Sequence, residues 1–317
     1  MFFRQLEYMV ALARERHFVR AAASCGVSQP ALSEGIRRLE AELDAPLVRR
    51  GNKFGGLTAE GEAVVLWARQ ILAGRDGLVA DVAALRGHVT GTLRLGCIPT
   101  AANAAPLLTG PFCAANPGAR VDVISDLASS DILRLLLENE LDGGISYIKD
   151  PLPDGFHAVP LYSERYVLLC PASAGWLPGP QATWAEASAL PLCLLAPHMQ
   201  GRRRIDGMFA EAGVQPSPTL ETDSVASLFS HVAAGGWATI VPAAWLLAFV
   251  LPPSVRALPL VRPEGSVPVG LVTLDREPST VMASALVSAA EDADLEFFSR
   301  LPLVPRPGEH RPAPARD

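Results

Sequence analysis

The sequence predicts an α+β N-terminal part made of short helices and a ribbon, then one long linker helix, then an α/β C-terminal domain. Three patterns along the 317 residues lead to this prediction. Residues 1–58 are helical in pattern and rich in Arg, and residues 59–88 form one long helical stretch. From residue 91, apolar strands alternate with helices until about residue 301. The chain is 49% hydrophobic and 19% charged, which excludes a disordered chain, and its length favours about two domains.

The first predicted helix is amphipathic, because its apolar residues recur at the spacing of one helix face. This stripe consists of Leu6, Met9, Val10, Ala13 and Phe18. A second short helix is predicted to end near Gly26. A third is predicted to begin at Ser28, whose hydroxyl can cap a helix, with Pro30 in the first turn, where the missing N–H costs no hydrogen bond.

The segment from Pro46 to Thr58 predicts a two-stranded ribbon, because glycines and Asn52 mark a turn between two short runs of strand-forming residues. Two helices joined by a short turn and followed by such a ribbon have the order of a winged helix-turn-helix domain.

The long helix is predicted to start at Thr58, a second N-cap residue, and it carries apolar residues at intervals of seven. The residues predicted to form a dimerisation seam are Val64, Ile71, Leu78, Val82 and Leu85. A lone helix with such a seam needs a partner, so we favour a homodimer contact over the alternative, a helix packed on its own domain.

In the C-terminal domain the strands are apolar throughout, which predicts a doubly wound α/β structure with buried, mostly parallel strands. Residues 232–255 carry no formal charge and are long enough to cross a bilayer, but Gly235, Gly236, Pro242, Pro252 and Pro253 divide them into short pieces. We therefore predict a packed core there and no membrane partner. The Pro/Arg-rich residues 302–317 are predicted to be a disordered tail.

Charge and cysteine content limit the partners and the compartment. The net charge is −6, yet residues 1–90 carry 12 basic and 10 acidic side chains and the rest carry 15 and 23, so only the N-terminal part is suited to a polyanion. The five cysteines are widely spaced and form no CxxC pair, which favours buried free thiols in a reducing cytoplasm. The N-terminus has no signal-peptide pattern, which also favours the cytoplasm.

The N-terminal part resembles the DNA-binding domain of LysR-type transcriptional regulators. The residues that carry the resemblance are Ala21, Ala22, Val27 to Ser33, Leu39, Glu40, Leu43, Pro46, Leu47, Leu57, Thr58 and Gly61. The chain departs from the common pattern at Val48, where the family often has Phe, and at Glu34, where Arg or Gln is common, followed by Gly35.

The resemblance implies a winged helix-turn-helix domain over 1–58, a linker and dimerisation helix over 59–90, and an effector-binding domain over 91–301 that resembles periplasmic binding proteins. By this analogy the effector domain has two subdomains around a cleft. The first comprises residues 91–162 and 268–301, and the second comprises residues 163–267.

The third helix would then be the recognition helix, which places its N-terminal residues in the major groove. Its expected DNA-contacting residues are Ser28, Gln29, Pro30, Ala31, Ser33, Arg37 and Arg38. Further basic residues of the preceding helix and the wing would reach phosphates and the minor groove, namely Arg20, Arg49, Arg50 and Lys53. The alternative for each single arginine is an ordinary solvated surface charge.

For the effector domain, helix starts that follow strands offer hydroxyls and free N–H groups to an anion. The expected effector contacts are Thr100, Ser129, Ser130, His198, Gln200 and Arg202. The alternative is that the hydroxyl residues only cap helices.

The sequence thus predicts a transcriptional regulator that binds double-stranded DNA and whose promoter binding responds to a small anionic effector. We expect a homodimer or homotetramer that contacts RNA polymerase. No catalytic, cofactor or metal motif stands out, and Cys97, the one candidate nucleophile, lies in an apolar strand, so we predict no enzyme activity. The alternative is a cytoplasmic α/β ligand-binding protein or enzyme whose N-terminal helices serve dimerisation only.

Overall fold

The computed structural model describes residues 1–49, 54–85, 89–149, 151–247 and 251–293. Three helices open the chain: α1 (Phe3–Glu15), α2 (Phe18–Ser24) and α3 (Gln29–Leu43). Phe18 begins α2, so its assignment to the first helix was wrong. Ser28 caps α3 as expected, since its Oγ accepts a hydrogen bond from the N–H of Ala31 at 3.4 Å.

Only the base of the predicted ribbon lies within the described residues. Val48 and Leu57 form an antiparallel bridge, and the N–H of Arg49 donates to the carbonyl of Gly56 at 3.0 Å. The predicted tip at 51–53 lies outside the described residues, as do Arg50 and the tail at 302–317.

The two halves of the predicted seam along the linker helix α4 (Ala59–Ala84) lie in different environments. In its first half Val65 and Ala68 are buried in the core of the N-terminal helices, and Val64 and Ile71 pack against that core. In its second half the apolar side chains are open to solvent: Leu78 is 65% exposed and Leu85 is 89% exposed. The alternative of packing within its own domain therefore holds for the first half only.

The C-terminal domain contains two larger sheets. The first has the strand order β2 (Ala119–Ile124), β1 (Gly91–Cys97), β3 (Gly143–Tyr147), β11 (Val267–Leu274) and β4 (Phe156–Glu164). Its helices are α5 (Ala105–Ala115), α6 (Ser129–Leu137) and α10 (Val281–Glu291), and a short 3₁₀ turn, Pro99–Ala101, follows β1.

The second sheet has the order β6 (Ala182–Thr183), β10 (Val255–Val261), β5 (Tyr166–Pro171) and β9 (Thr239–Pro242). A smaller parallel pair joins β7 (Cys193–Leu195) to β8 (Leu220–Thr222). The helices here are α7 (Trp184–Ser188), α8 (Gln200–Glu211) and α9 (Val225–Ala234), with 3₁₀ turns at Ala172–Ala174 and Ala243–Leu247.

The expectation of mostly parallel strands was wrong. β1 runs parallel to β2 and β3, but β11 is antiparallel to both of its neighbours, and β5 is antiparallel to both β9 and β10. The chain crosses between the sheets from β4 to β5 and returns from β10 to β11. Because β11 returns from the other sheet, it inserts against the direction of β3 and β4.

Strands β4 and β10, each of which precedes one of these crossings, were not predicted from the sequence. Each contains a proline, Pro160 and Pro259, which reads against a central strand. The sheet accommodates both. β4 is an edge strand, and its register with β11 shifts beside Pro160, where Leu161 is the extra residue. β6 borders β10 only at Leu260 and Val261, beyond Pro259.

The uncharged segment at 232–255 is split between the end of α9, the buried strand β9 and a short helix. Within the described ranges, no helix has both the length and the apolar character needed to cross a bilayer.

Gly61 allows α4 to start against the ribbon. The N–H of Thr58 donates to the carbonyl of Leu47 at 3.1 Å, and the Thr58 hydroxyl donates to the carbonyl of Pro46 at 2.6 Å. A Cβ on Gly61 would lie 2.0 Å from the Leu47 carbonyl oxygen, a backbone atom that these bonds hold in place.

We therefore expect Gly61→Ala to destabilise the N-terminal domain by about 3 kcal/mol, the cost of forcing a methyl group into a packed site. The control is Gly207→Ala in α8, where a Cβ meets nothing within 4 Å and should stabilise the helix by about 1 kcal/mol. Thermal unfolding of the two variants measures both effects. Equal stability of the two variants would contradict the close approach at Gly61.

Candidate nucleic-acid interface and effector site

The first turn of α3 presents the residues expected to contact DNA. Gln29, Pro30 and Ala31 are exposed, and Ser33 is half-buried. The side-chain amide of Gln29 donates to the hydroxyl of Ser33 at 3.3 Å, so these two polar groups point the same way. The surface can therefore offer an amide and a hydroxyl to the edges of bases.

Glu34 and Gly35, the departures from the family pattern, have separate physical roles. Glu34 accepts a hydrogen bond from Arg38 Nε at 3.1 Å and lies 3.9 Å from Arg37 Nη1, so it holds both guanidinium groups. Gly35 faces α1, where an added Cβ would lie 2.7 Å from the ring of Tyr8. Gly35 thus lets the recognition helix approach α1.

The remaining basic residues of this surface are exposed where they are described. Arg20 lies on α2 and donates to the carbonyl of Glu15 at 2.7 Å, and Arg49 lies at the base of the ribbon. Arg50 and Lys53 lie outside the described residues.

A cavity of about 310 Å³ lies where the start of α6 meets the start of α8. Its lining residues are Ala128, Ser129, Ser130, Lys149, Gln200, Arg203 and Arg204. Three of the expected effector contacts are therefore together here, joined by three basic residues, and none of the described lining residues is acidic. Such a lining attracts an anion.

Gln200 connects the two halves of the effector domain at this cavity. Its Oε1 accepts a hydrogen bond from the N–H of Ser129 at 2.9 Å, and its Nε2 donates to Ser129 Oγ at 2.8 Å. Ser146 on β3 also donates to Ser129 Oγ, at 2.8 Å. Gln200 thereby occupies the N-terminus of α6, where free N–H groups favour an oxygen ligand.

Arg202, predicted as an effector contact, is not among the residues that line this cavity. Its guanidinium donates to Asp206 at 2.8 Å, to Glu221 at 2.7 Å and to the carbonyl of Leu195 at 2.8 Å. The cause is helical periodicity, because Arg202 lies on the α8 face that also buries Ile205 and Phe209. The sequence already indicated this, because Ile205 and Phe209 follow Arg202 by three and seven residues and so share its helix face.

The arginines that do reach the cavity are the next two in the run. Arg203 is exposed, and the guanidinium of Arg204 lies 4.4 Å from the centre of the Tyr147 ring, a cation–π contact. Lys149, one of only two lysines in the chain, follows the end of β3. His198 is exposed in the loop before α8 and is not among the lining residues.

Thr100 also fails to face the cavity, because its hydroxyl is part of a buried cluster at the crossing between the sheets. The hinge cluster comprises Thr100, Tyr147, Glu164 and Tyr166. Thr100 Oγ1 lies 3.0 Å from the Tyr147 hydroxyl, and both tyrosines donate to Glu164 Oε1, at 3.0 and 2.8 Å. Thr100 is only 3% exposed, so its proposed role as an effector contact is withdrawn.

Glu164 is the central residue of the hinge cluster and was missed by the sequence analysis. It is 1% exposed, and its Oε2 has no hydrogen-bond partner within the described ranges. Burial raises the pKa of its carboxyl group, while the hydrogen bonds from Tyr166 and Tyr147 act in the opposite direction. The sequence offered no signal, because β4, the strand that Glu164 ends, was itself not predicted.

The expectation of buried free thiols holds for three cysteines. Cys97, Cys170 and Cys193 are buried, Cys25 is half-buried, and Cys113 is exposed on α5. Burial raises the pKa of the Cys97 thiol to about 12 and that of Cys193 to about 11. At neutral pH these thiols are protonated and therefore poor nucleophiles.

A larger cavity of about 1090 Å³ lies between α4 and the first sheet. Basic and acidic side chains both line it, among them Arg69, Arg94, Asp76 and Asp122. Because these charges offset one another, the smaller cationic cavity is the better candidate for an effector site.

Comparison with known proteins agrees with this geometry. The family model described as a bacterial regulatory helix-turn-helix protein of the lysR family matches residues 3–62, and the LysR substrate binding domain matches residues 86–294. The chain is 30% identical over 300 residues to the hydrogen peroxide-inducible genes activator of Haemophilus influenzae, covering 91% of this chain and 96% of that protein. It is 31% identical over 281 residues to the DNA-binding transcriptional dual regulator OxyR of Escherichia coli, covering 85% and 88%.

Solved structures show the same fold. A full-length OxyR variant from Pseudomonas aeruginosa superposes with a TM-score of 0.75 at 23% identity, covering 94% of this chain and 97% of that one. Full-length CbnR complexed with its target DNA superposes with a TM-score of 0.64 at 26% identity, covering 92% and 100%. These matches favour the regulator over the alternative of a ligand-binding protein or enzyme with a dimerising N-terminus. The chain belongs to the LysR family of bacterial transcriptional regulators, which bind DNA and small-molecule effectors and form oligomers.

Proposed function

We propose that this regulator reads its operator with the first turn of α3 and responds to a small anion bound between α6 and α8. Its function is regulation of transcription, and we assign it no catalytic step. The observation that carries this proposal is the capped, exposed start of α3, where Gln29 and Ser33 are linked side by side. An amide can pair with adenine and a hydroxyl with either kind of base edge, which is how a recognition helix reads sequence.

We expect Gln29→Ala to lose discrimination between operator and random DNA by about 1–3 kcal/mol, the value of a bidentate base contact. Fluorescence anisotropy with DNA from upstream of the protein's own gene measures this ratio. Gln181→Ala removes the same amide from an exposed site in the effector domain and should leave the ratio unchanged. Absence of binding to any such DNA would reject the proposed function, and an unchanged ratio in Gln29→Ala would reject this placement of α3.

The cationic cavity supports an anion as the effector. Lys149, Arg203 and Arg204 supply positive charge, and Ser130 and the Gln200 amide supply hydrogen bonds. The volume of about 310 Å³ suits a small metabolite, at the lower end of ordinary ligand pockets.

The relative from Haemophilus influenzae is named as an activator of hydrogen peroxide-inducible genes, and thiols can sense hydrogen peroxide through their ionised form. In this chain burial raises the pKa values of the Cys97, Cys170 and Cys193 thiols, so these three are protonated at neutral pH. We therefore propose that binding of an anion, rather than oxidation of a thiol, is the signal.

We expect a screen of small carboxylates and inorganic anions to find compounds that raise the melting temperature of the protein, because a ligand that binds only the folded state stabilises it. Arg203→Gln should weaken such a compound about tenfold or more, since it removes an exposed charge at the cavity. Arg120→Gln removes a comparably exposed charge on β2, away from the cavity, and is the matched control. An equal response of both variants would place the anion elsewhere.

The second half of α4 supports self-association. Leu78, Val82 and Leu85 expose apolar surface along one side of a 26-residue helix, and Trp67, 66% exposed, extends that side toward the N-terminus. We propose that two copies pair along this surface, as a homodimer or within a homotetramer, so that two recognition helices reach two half-sites. The DNA-bound oligomer acts in the cytoplasm, where it contacts RNA polymerase at the promoter.

We expect Leu78→Glu to dissociate the oligomer, because it places two carboxylates in an apolar contact where desolvation and repulsion both oppose pairing. Light scattering measures the mass, and operator affinity should fall in parallel. Asp76→Ala is the control, since two residues along a helix turn the side chain by about 200° to the opposite side. Retention of the native mass by Leu78→Glu would show that this surface is not the interface.

A further inference from the structure

The helix α6 touches both functional parts of the molecule, one at each end. Its first residue, Ser129, is bound to Gln200 at the cationic cavity. Just beyond its last turn, Glu138 accepts a hydrogen bond from Arg69 Nη1 at 2.7 Å, and Glu140 lies 2.6 Å from Arg69 Nη2. Arg69 belongs to the linker helix α4, so α6 spans from the proposed effector site to the DNA-binding part.

The ion pair between Arg69 and Glu138 resists separation. The side chains of Arg69 and Glu138 are only 15% and 18% exposed, so separating them would leave charges in a partly dry environment. Glu138 is also held by Arg134 of α6 itself, at 3.1 Å, which ties the carboxylate to the helix. Arg69 follows directly after Ala68, which is fully buried in the N-terminal core. A shift of Arg69 therefore carries the DNA-binding domain with it.

The surface beneath α6 lets the helix lie close to the first sheet. Ile132, fully buried, rests on Gly144 of β3, where a Cβ would lie 2.2 Å from the Ile132 side chain, and near Gly96 of β1. The glycines at these two positions let the Ile132 side chain lie directly against the backbone of the sheet. The nine residues of α6 form a rod about 14 Å long.

We propose that α6 is the element that couples the effector site to DNA binding: displacement of Gln200 from Ser129 shifts α6, and Glu138 and Glu140 pass that shift to Arg69 and the linker helix. The inference rests on the proposed function, because it assumes that the cavity holds the effector. Arg69, Glu138 and Glu140 are positioning residues, which touch neither DNA nor ligand.

The test is a double-mutant cycle on the full-length chain, and it needs no identified effector. Gln200→Ala frees the start of α6 and should change operator affinity about fivefold or more, within the usual range of allosteric coupling. In an Arg69→Gln background the same substitution should change affinity less than about twofold, because the link is cut. Glu138→Gln should abolish the response in the same way, which guards against misfolding of one variant.

Arg75→Gln is the matched control, since Arg75 is also an α4 arginine but binds Glu7 of α1 rather than α6. In that background Gln200→Ala should keep its full effect. An equal effect of Gln200→Ala in the wild-type, Arg69→Gln and Arg75→Gln backgrounds, including no effect at all, would overturn the proposal.

A second readout separates this proposal from the proposed function. Hydrogen exchange of the DNA-free chain should show that Gln200→Ala changes the protection of α4 amides after residue 69 in the wild-type and Arg75→Gln backgrounds, but not in Arg69→Gln. If the chain bound no DNA, this exchange pattern would still support the coupling, whereas unchanged α4 protection would reject it.

Discussion

The ion pair that Arg69 forms with Glu138 and Glu140 is the contact on which the two-part construction of this molecule depends. The N-terminal helices and the effector domain have separate apolar cores, so burial of apolar side chains does not by itself set one against the other. A partly buried ion pair does set the two parts against each other, because moving one charged group away would leave the other buried without a counterion. Gly77 of α4 faces Thr280, whose methyl group would lie 3.6 Å from an added Cβ, so the linker helix also runs beside the start of α10.

Two separate groups of basic side chains serve the two kinds of anion, DNA and the small effector, that the proposed function requires. The chain as a whole is acidic, with a net charge of −6, which disfavours the approach of a polyanion except where basic side chains cluster. Exposed arginines collect around α3, and a second group of basic side chains collects at the cavity between α6 and α8. On α3 Glu34 reduces the effective charge of Arg37 and Arg38, which favours binding that depends on base contacts over binding to any phosphate backbone.

The hinge cluster shows how a buried carboxylate can order the crossing between two sheets. Tyr147 comes from the first sheet and Tyr166 from the second, and both donate to Glu164, which ends β4. The indole of Trp245 adds a hydrogen bond to the carbonyl of Thr100 at 3.1 Å. Because a buried carboxylate needs donors on several sides, its position fixes residues from both sheets around the crossing.

The sequence by itself determined the local features whose causes lie within a few residues: the caps at Ser28 and Thr58, the start of α3, and the alternation of strands and helices. It also determined the family, because the motif from Val27 to Ser33 is a contiguous run. Only the tertiary structure decided strand direction, the split of the α4 seam, and which side chains surround the cavity. Arg202 and Arg203 are neighbours in the chain, yet Arg202 forms ion pairs with Asp206 and Glu221, whereas Arg203 lines the cavity. Glu221 is distant in sequence and becomes a partner only when β8 pairs with β7, so the helical spacing that places Arg202 on the buried face of α8 does not identify this acid as its partner.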